Sequence, residues 1–281
     1  MAQSNQEQRE FWNGQMAQQW RHYWPKIDNI LAPLTSELLG AARAKPGHNV
    51  LDVGCGPGTT TLALGKQVGE TGSVLGVDIS DVLLKIARER ASNTGTTNVR
   101  FVTSDASDCA FDKNVCDIAV SRFGVMFFED PVASFENIRS ALRPQATLVF
   151  LCWQSLESNP WMQRAMHVAL RHIDPPAPPD PDAPGAFAFA NPDRIRPILS
   201  GAGFTDIVID PVVRDLQLAA SAEEAMEFFV EMGPGAGLLR DQPSDLVEQI
   251  TYEMTQLYRR HQVDGAVQME AGAWLVRAVA G

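Results

Sequence analysis

Apolar residues between positions 48 and 154 alternate between two rhythms, and the alternation predicts the order of elements. "NVLDVG" (49–54) is a continuous apolar strand, and "TTTLALGKQVG" (59–69) follows with helical spacing at Leu62, Leu64 and Val68 and a glycine stop at Gly69. "GSVLGVDIS" (72–80) is a second strand ending at Asp78. "DVLLKIARERASNTG" (81–95) is an amphipathic helix with Leu83, Ile86 and Ala87 inward. A third strand, "NVRFVTSDAS", ends near Asp105, and "VCDIAVSRFG" gives a fourth. "DPVASFENIRSALRP" places Val132, Phe135, Ile138 and Leu142 on one helical stripe, before a fifth strand, "ATLVFLCWQ". Strand and helix in strict alternation predict a parallel sheet covered by helices on both faces through right-handed crossovers.

Beyond residue 154 the rhythm changes. "DPPAPPDPDAPGAFAFANP" (174–192) carries too many prolines for a helix or central strand and reads as a surface loop that could act as a lid. "PDRIRPILSGAGF" returns to helix and "TDIVIDPVV" to strand. "SAEEAMEFFVEMG" and "PSDLVEQITYEMTQLYRRHQ" are amphipathic helices, and "AWLVRAVAG" is a terminal strand. The two helices lie between strand-like segments, so they are expected over one end of the sheet. The fold expected is therefore α/β and Rossmann-like: a doubly wound, mostly parallel seven-stranded sheet with a helical cap over the strand C-terminal ends. Its parts are residues 1–47, a helical segment over the site, 48–154, the binding core, and 155–281, which completes the sheet and supplies the loop and cap.

Composition narrows the partners. The 281 residues, 45% hydrophobic, can bury a large core. A net charge of -11 repels phosphate backbones and anionic lipid, so neither nucleic acid nor membrane is the expected partner. The N-terminus lacks the basic-then-apolar order of a signal peptide and no window is apolar enough to span a bilayer, which predicts a cytoplasmic protein. Cys55, Cys109, Cys116 and Cys152 have no metal-ligand spacing and read as buried thiols; no metal site is expected.

The candidate chemistry begins at "VLDVGCGPGTT" (50–60). Gly54, Gly56 and Gly58 lie after the first strand, where open parallel sheets bind ligands and where glycine lets a ligand approach the backbone. A dinucleotide fingerprint would need glycine where Thr59 stands, and no Walker phosphate loop is present. No Lys or Arg lies between Lys45 and Lys66, whereas Asp52, Asp78 and Asp105 lie in the loop's strand or at neighbouring strand ends. Asp78 suits a ribose diol, Asp105 an adenine amino group or a neighbouring backbone group, and three acids favour a ligand with positive charge.

In order and spacing, "VLDVGCGPGTTTLAL", "GVDIS", "SDASD" and "SRFGVMFFEDP" resemble the motifs of class I S-adenosylmethionine-dependent methyltransferases, in particular the branch related to ubiquinone and menaquinone methyltransferases. The resemblance covers residues 48–154 and extends more weakly to "NPDRIRPILSGAGF" and the terminal strand. It implies an enzyme that binds S-adenosyl-L-methionine and methylates a small molecule. By resemblance, Gly54, Gly56 and Gly58 lie against the methionine part, Asp52 orients its amino group, and Asp78 holds the ribose. Ile79 lies against the adenine, and Asp105 with Ala106 reads it. Ser121, Arg122 and Phe123 line the methionine end and the route to the acceptor, with Arg122 available to the methionine carboxylate or an acidic substrate. "RPQATL" departs from the family's Gly-Gly turn at Gln145 and Ala146, which should alter the turn only.

The N-terminal group Trp12, Trp20, Tyr23 and Trp24 either folds over the cofactor or packs as core. Trp161, Met162, Phe187, Phe189, Phe228 and Phe229 are the expected acceptor surface, and Phe127 and Phe128 are expected in the core. His22, His167 and His172 are the candidates for a base, should one be needed; no catalytic residue is assigned. A non-catalytic protein that senses or carries S-adenosylmethionine remains a second reading, and a nicotinamide dehydrogenase a third.

Overall fold

The computed structural model describes residues 6–175, 180, 182–232 and 235–281. Three helices come first: α1 (Gln6–Asn13), α2 (Gln15–Ile30) and α3 (Ala32–Ala42). The alternating core then runs β1 (Asn49–Val53), α4 (Thr59–Val68), β2 (Ser73–Asp78), α5 (Asp81–Asn93), β3 (Val99–Thr103), β4 (Cys116–Arg122), α6 (Pro131–Ala141) and β5 (Leu142–Trp153). The remainder comprises α7 (Pro160–Ala169), α8 (Pro192–Gly201), β6 (Phe204–Ala219), α9 (Ala222–Met232), α10 (Gly235–Leu239), α11 (Ser244–Arg259), β7 (Gln262–Val263) and β8 (Ala266–Ala280).

The sheet order is β3-β2-β1-β4-β5-β8-β6, with the two-residue β7 paired to β8. Strands β1 to β5 are mutually parallel, and β8 runs antiparallel between β5 and β6. This is the doubly wound sheet expected from the sequence, with the small β7 added. Burial explains the unbroken apolar strands: four of the five residues of β1 are buried, because helices cover both faces. Val50, Ile118 and Val120 pack with Leu64 and Val68 of α4 and with Ala42 of α3, while Leu51 and Ala119 join the larger cluster. Helix starts carry the caps that sequence favours: the Ser80 hydroxyl accepts from the Leu83 N–H, and Asp130 accepts from the Ala133 N–H before α6. At the departure from the Gly-Gly turn, Gln145 itself takes the left-handed conformation, φ +68°.

The structure differs from the expectation in two respects. Strands β6 and β8 are much longer than "TDIVIDPVV" and "AWLVRAVAG" predicted, because their alternation continues on both sides of the cap helices. The last β5 pairing is Trp153 with Ala273, so the stretch in which Val212–Ala219 pairs with Val267–Ala273 overhangs the C-terminal end of the sheet. At about 3.3 Å per residue this ribbon reaches some 20 Å past β5. Helices α9 and α11 are carried at its far end and joined by Arg259 to Glu223 at 2.6 Å. The second difference is α7, which packs Met162, Ala165 and Val168 inward in a stretch for which no helix was predicted. Among the described residues no helix is long and apolar enough to cross a membrane.

Asn159 fixes the ribbon to the sheet. Fully buried, its amide donates to the carbonyls of Gln154, Ser155 and Gly272, and its Oδ1 accepts from the Gly272 N–H and the Trp161 indole. Asn159→Ala would leave several of these groups dry and unpaired, and should cost roughly 2–4 kcal/mol. Urea unfolding should read this as a lowered midpoint, and an unchanged midpoint would deny Asn159 this role.

Candidate active site

The glycine loop leaves β1 and turns across the end of β2. The N–H groups of Gly54 and Cys55 both donate to the Val77 carbonyl, at 2.8 and 3.2 Å. All three glycines have positive φ, but each answers a different constraint. A Cβ on Gly54 would lie 2.8 Å from the Gly124 Cα, because the two loops touch backbone to backbone. One on Gly58 would meet the Ala87 Cβ at 2.9 Å, so this residue serves the packing of α5. Beside Gly56 the nearest atom is a Leu83 methyl at 4.0 Å. Open space beside a backbone that only glycine adopts comfortably is where a ligand would lie.

Asp78 holds this loop: its Oδ2 accepts from the Gly56 N–H at 2.7 Å and its Oδ1 from the Ser80 N–H at 2.8 Å. Burial raises its pKa, opposed by these backbone donors. Asp52 lies beneath, fully buried, with Oδ2 accepting from the Thr60 and Thr61 hydroxyls, each at 2.6 Å. Its Oδ1 has no partner, and burial pushes its pKa up to about 6.

Asp28 on α2 gathers side chains from three other elements. Arg122 at the end of β4 donates to Asp28 Oδ1 at 2.9 Å and to the Thr35 hydroxyl at 3.0 Å. Arg90 of α5 reaches Asp28 Oδ2 at 3.3 Å, the Pro57 carbonyl at 2.7 Å and the Thr59 hydroxyl at 2.9 Å. Thr59 also donates to Asp28, and Trp24 stacks on the Arg90 guanidinium at 4.1 Å. The expectation of a loop without nearby cations is thereby corrected: folding brings in Arg90 and Arg122 from distant positions, both bound to Asp28.

A cavity of about 750 Å³ opens above the strand ends. Of the predicted site residues, Gly54, Gly56, Asp78, Ile79, Asp105, Ala106, Arg122 and Phe123 line it; Asp52 and Gly58 do not. Helix α1 crosses its acidic side, where Arg9 lies 3.8 Å from Asp105 and the Asn13 amide donates to the Ile79 carbonyl at 3.0 Å. Gln8 also lines this side, and its buried Oε1 has no partner. The other side is aromatic. Phe123, with φ +63°, stacks on Trp153 at 4.0 Å, and Trp161, Met162, Phe187 and Phe228 continue the wall. Trp12 and Trp20 line the cavity, whereas Tyr23 and Trp24 do not. Tyr23 instead donates to Glu231, and Lys26 pairs with Glu224 at 2.9 Å, so α2 is clasped to α9.

Several expectations change. Phe189 and Phe229 are core residues, Phe189 packed against Phe135 and Phe150, whereas Phe127 and Phe128 line the cavity. None of His22, His167 and His172 lines it; His172 pairs with Glu253 at 3.0 Å. Of the proline-rich loop, residues 176–179 and 181 lie outside the described residues, and 184–187 line the cavity. Sequence reasoning missed Asp28, Arg90, Gly124 and Gln8. Only Gly124, in "SRFG", stood beside a motif already singled out.

The sheet order, with a cavity at its switch point, is a fold shared with solved methyltransferase structures. Residues 50–145 match the family model described as a methyltransferase domain. Among curated relatives, the demethylmenaquinone methyltransferase of Staphylococcus carnosus is 32% identical over 133 residues, which is 46% of this chain and 54% of that protein. The 2-phytyl-1,4-naphtoquinone methyltransferase of Trichormus variabilis is 36% identical over 109 residues, 38% of this chain and 48% of that one. The chain thus spans about half the length of the curated relatives it matches. Of solved structures, Haemonchus contortus phosphoethanolamine N-methyltransferase 2 in complex with S-adenosyl-L-methionine superposes with a TM-score of 0.59 at 18% identity, covering 97% of this chain and 59% of that one. The Bacillus subtilis YcgJ protein gives 0.56 at 16% identity, with 88% and 97% covered. Both are likenesses of fold.

Two outcomes follow from the charges. Asp28→Ala strands the nearly buried Arg122 guanidinium and should cost roughly 3 kcal/mol in denaturant unfolding, with Asp28→Asn, which keeps an acceptor, losing less. For Asp52, a folded pKa of about 6 against the ordinary 3.8 means that the folded chain holds the proton more tightly. Its contribution is present below pH 3.8 and lost as pH rises through about 6. Asp52→Asn should therefore gain stability relative to wild type across that window, and a gap that does not change with pH would contradict the shift.

Proposed function

We propose that this chain is an S-adenosylmethionine-dependent methyltransferase that transfers a methyl group to a small-molecule acceptor. The observation that carries the reading is the open space beside Gly56 next to Asp78, within a cavity of about 750 Å³, inside the usual range of roughly 300–1,000 Å³ for a ligand site. The residues present fit the cofactor. Asp78 would accept from the ribose hydroxyls, and Ile79, Ala106 and Asp105 would receive the adenine, with Gln8 Oε1 as a further acceptor for an N–H. Arg122, which lines the cavity, suits the carboxylate of the amino acid end, while Asp52, buried beneath the loop and held by Thr60 and Thr61, would act on its ammonium only through the loop it supports. Gly54 and Gly58 serve this arrangement by shaping the loop.

The cofactor, when bound, supplies a methyl group on a positively charged sulfur. The chain's part is to align and to exclude water, which for in-line displacement can supply most of the acceleration. Phe123 and Trp153 form the wall beside the glycine loop, and Phe127, Phe187 and Phe228 keep the acceptor side dry. In this reading residues 1–47 close over the cofactor, 48–154 bind it, and 155–281 shape the acceptor chamber. The relatives' names make a quinone-like molecule one member of the acceptor class. All four cysteines are free thiols, which agrees with a reducing, cytoplasmic location.

Isothermal titration with S-adenosylmethionine and S-adenosylhomocysteine tests the reading. Wild type should bind both, and Gly56→Leu should lose at least a hundredfold in affinity while circular dichroism shows the fold retained. Absence of binding to wild type would refute the proposal. Binding without methyl consumption across a broad acceptor panel would favour the sensor reading instead.

A further inference from the structure

We infer that Gln8 of α1 makes the site selective for a purine with an amino group at carbon 6, and that docking of α1 is linked to that choice. The inference rests on the methyltransferase reading above and adds to it a specificity residue from outside the sheet domain. Gln8 Oε1 is buried, lines the cavity and accepts no hydrogen bond. A dry carbonyl oxygen is unfavourable until a donor reaches it, so a ligand that brings an N–H to this atom is preferred over one that does not. The position of α1 identifies that N–H. The helix is tied to the ends of both β2 and β3: Arg9 faces Asp105 and Asp108 at 3.8 and 3.9 Å, and Asn13 donates to the Ile79 carbonyl at 3.0 Å and accepts from the Asp81 N–H at 3.1 Å. Gln8 is next to Arg9, at the β3 end of the helix, and one turn before Trp12, which packs against Phe127 at 5.2 Å on the β4 side.

Gln8 thus enters the cavity on the side where Asp105 and Ala106 would receive the base. An amino group on carbon 6 carries two hydrogens and calls for two acceptors. Asp105 is one, with its Oδ1 already taking the Ser107 N–H at 2.9 Å and its Oδ2 facing Arg9. Gln8 Oε1 supplies the other. A purine with hydrogen at that carbon brings no donor, and Gln8 would stay dry against it. The same contact bears on α1 itself. None of its residues is buried and the Arg9 ion pairs are long and half-exposed, so its hold on the sheet domain is weak. A donor on Gln8 strengthens that hold, and by reciprocity a docked α1 tightens the grip on the amino purine.

Isothermal titration with S-adenosylhomocysteine and with its analogue carrying hydrogen in place of the 6-amino group tests the inference. Wild type should prefer S-adenosylhomocysteine by roughly tenfold or more, and Gln8→Leu, which removes the acceptor and keeps the bulk, should cut that ratio by roughly fivefold or more. Gln6→Leu, on the same helix but bonded to Glu10 at 2.9 Å, should keep the wild-type ratio. Amide hydrogen exchange at saturating ligand should show α1 of wild type more protected by S-adenosylhomocysteine than by the analogue, and Gln8→Leu should lose that difference. A ratio that is unchanged in Gln8→Leu, including an equal loss of affinity for both ligands, overturns the inference. So does equal protection of α1 by the two ligands in wild type, or a ratio that falls as far in Gln6→Leu. Failure of S-adenosylhomocysteine to bind wild type would instead defeat the methyltransferase reading, so the two failures are distinguishable.

Discussion

Asp28 carries one negative charge, and two guanidinium groups from separate parts of the sheet domain converge on it. The helices that precede the sheet have no strand of their own to anchor them, so their position over the cavity depends on side chains. Arg122 ties α2 to the end of β4, and Arg90 ties it to α5. Because the same Arg90 nitrogen also holds the Pro57 carbonyl, the glycine loop is fixed by the helix that covers it. Little water reaches the cluster, so the ion pairs are weakly screened, but each group is costly if left alone. The aromatic and apolar residues that α2 contributes to the cavity, Trp20, Ile27 and Ile30, are placed by this charge arrangement.

The second constraint is steric. Gly54 and Gly124 approach so closely that neither can carry a Cβ, which presses the loop after β1 against the loop after β4. Between β4 and that contact, Phe123 is held in a left-handed conformation that costs a non-glycine residue about 1 kcal/mol or more. Its N–H donates to the Leu151 carbonyl at 3.1 Å and its ring stacks on Trp153, which together offset the strain. A backbone turned this way presents the ring at the cavity floor. The usual right-handed or extended backbone would direct it elsewhere.

The alternating sheet, the glycine loop and the acids at the ends of β2 and β3 were legible because each is a local pattern: a period of two or 3.6, or a residue type at a strand end. The Asp28 cluster was not, since positions 28, 59, 90 and 122 meet only through tertiary folding, and although Thr59 and Arg122 stand in motifs, nothing local joins them to Asp28 or Arg90. Adjacent aromatic pairs were misread for a related reason. In a pair such as Phe228 and Phe229 one ring faces the cavity and the other the core, and the rotation of the helix decides which. The length of β6 was available and overlooked: "DLQL" keeps the period of two, with Leu216 and Leu218 buried and Asp215 and Gln217 exposed.

The order of strands accounts for the two-sided cavity. Chain direction reverses its lateral progress at β1, so β2 and β3 lie to one side and β4 and β5 to the other, and the crevice opens at that switch point. The two sides are then free to differ. Short loops after β2 and β3 bring carboxylates to the rim within a few residues of the strand end, as Asp78 and Asp105 do. Past β5 the chain instead runs into α7 and, after α8, the overhanging ribbon and its helices, where apolar side chains are needed simply to pack α7 and α9 onto the sheet. Polarity on one side and dryness on the other thus follow from topology before any ligand is considered. A sequence change in the cap can reshape the dry side without disturbing the Asp28 cluster, because no residue of that cluster comes from beyond β5.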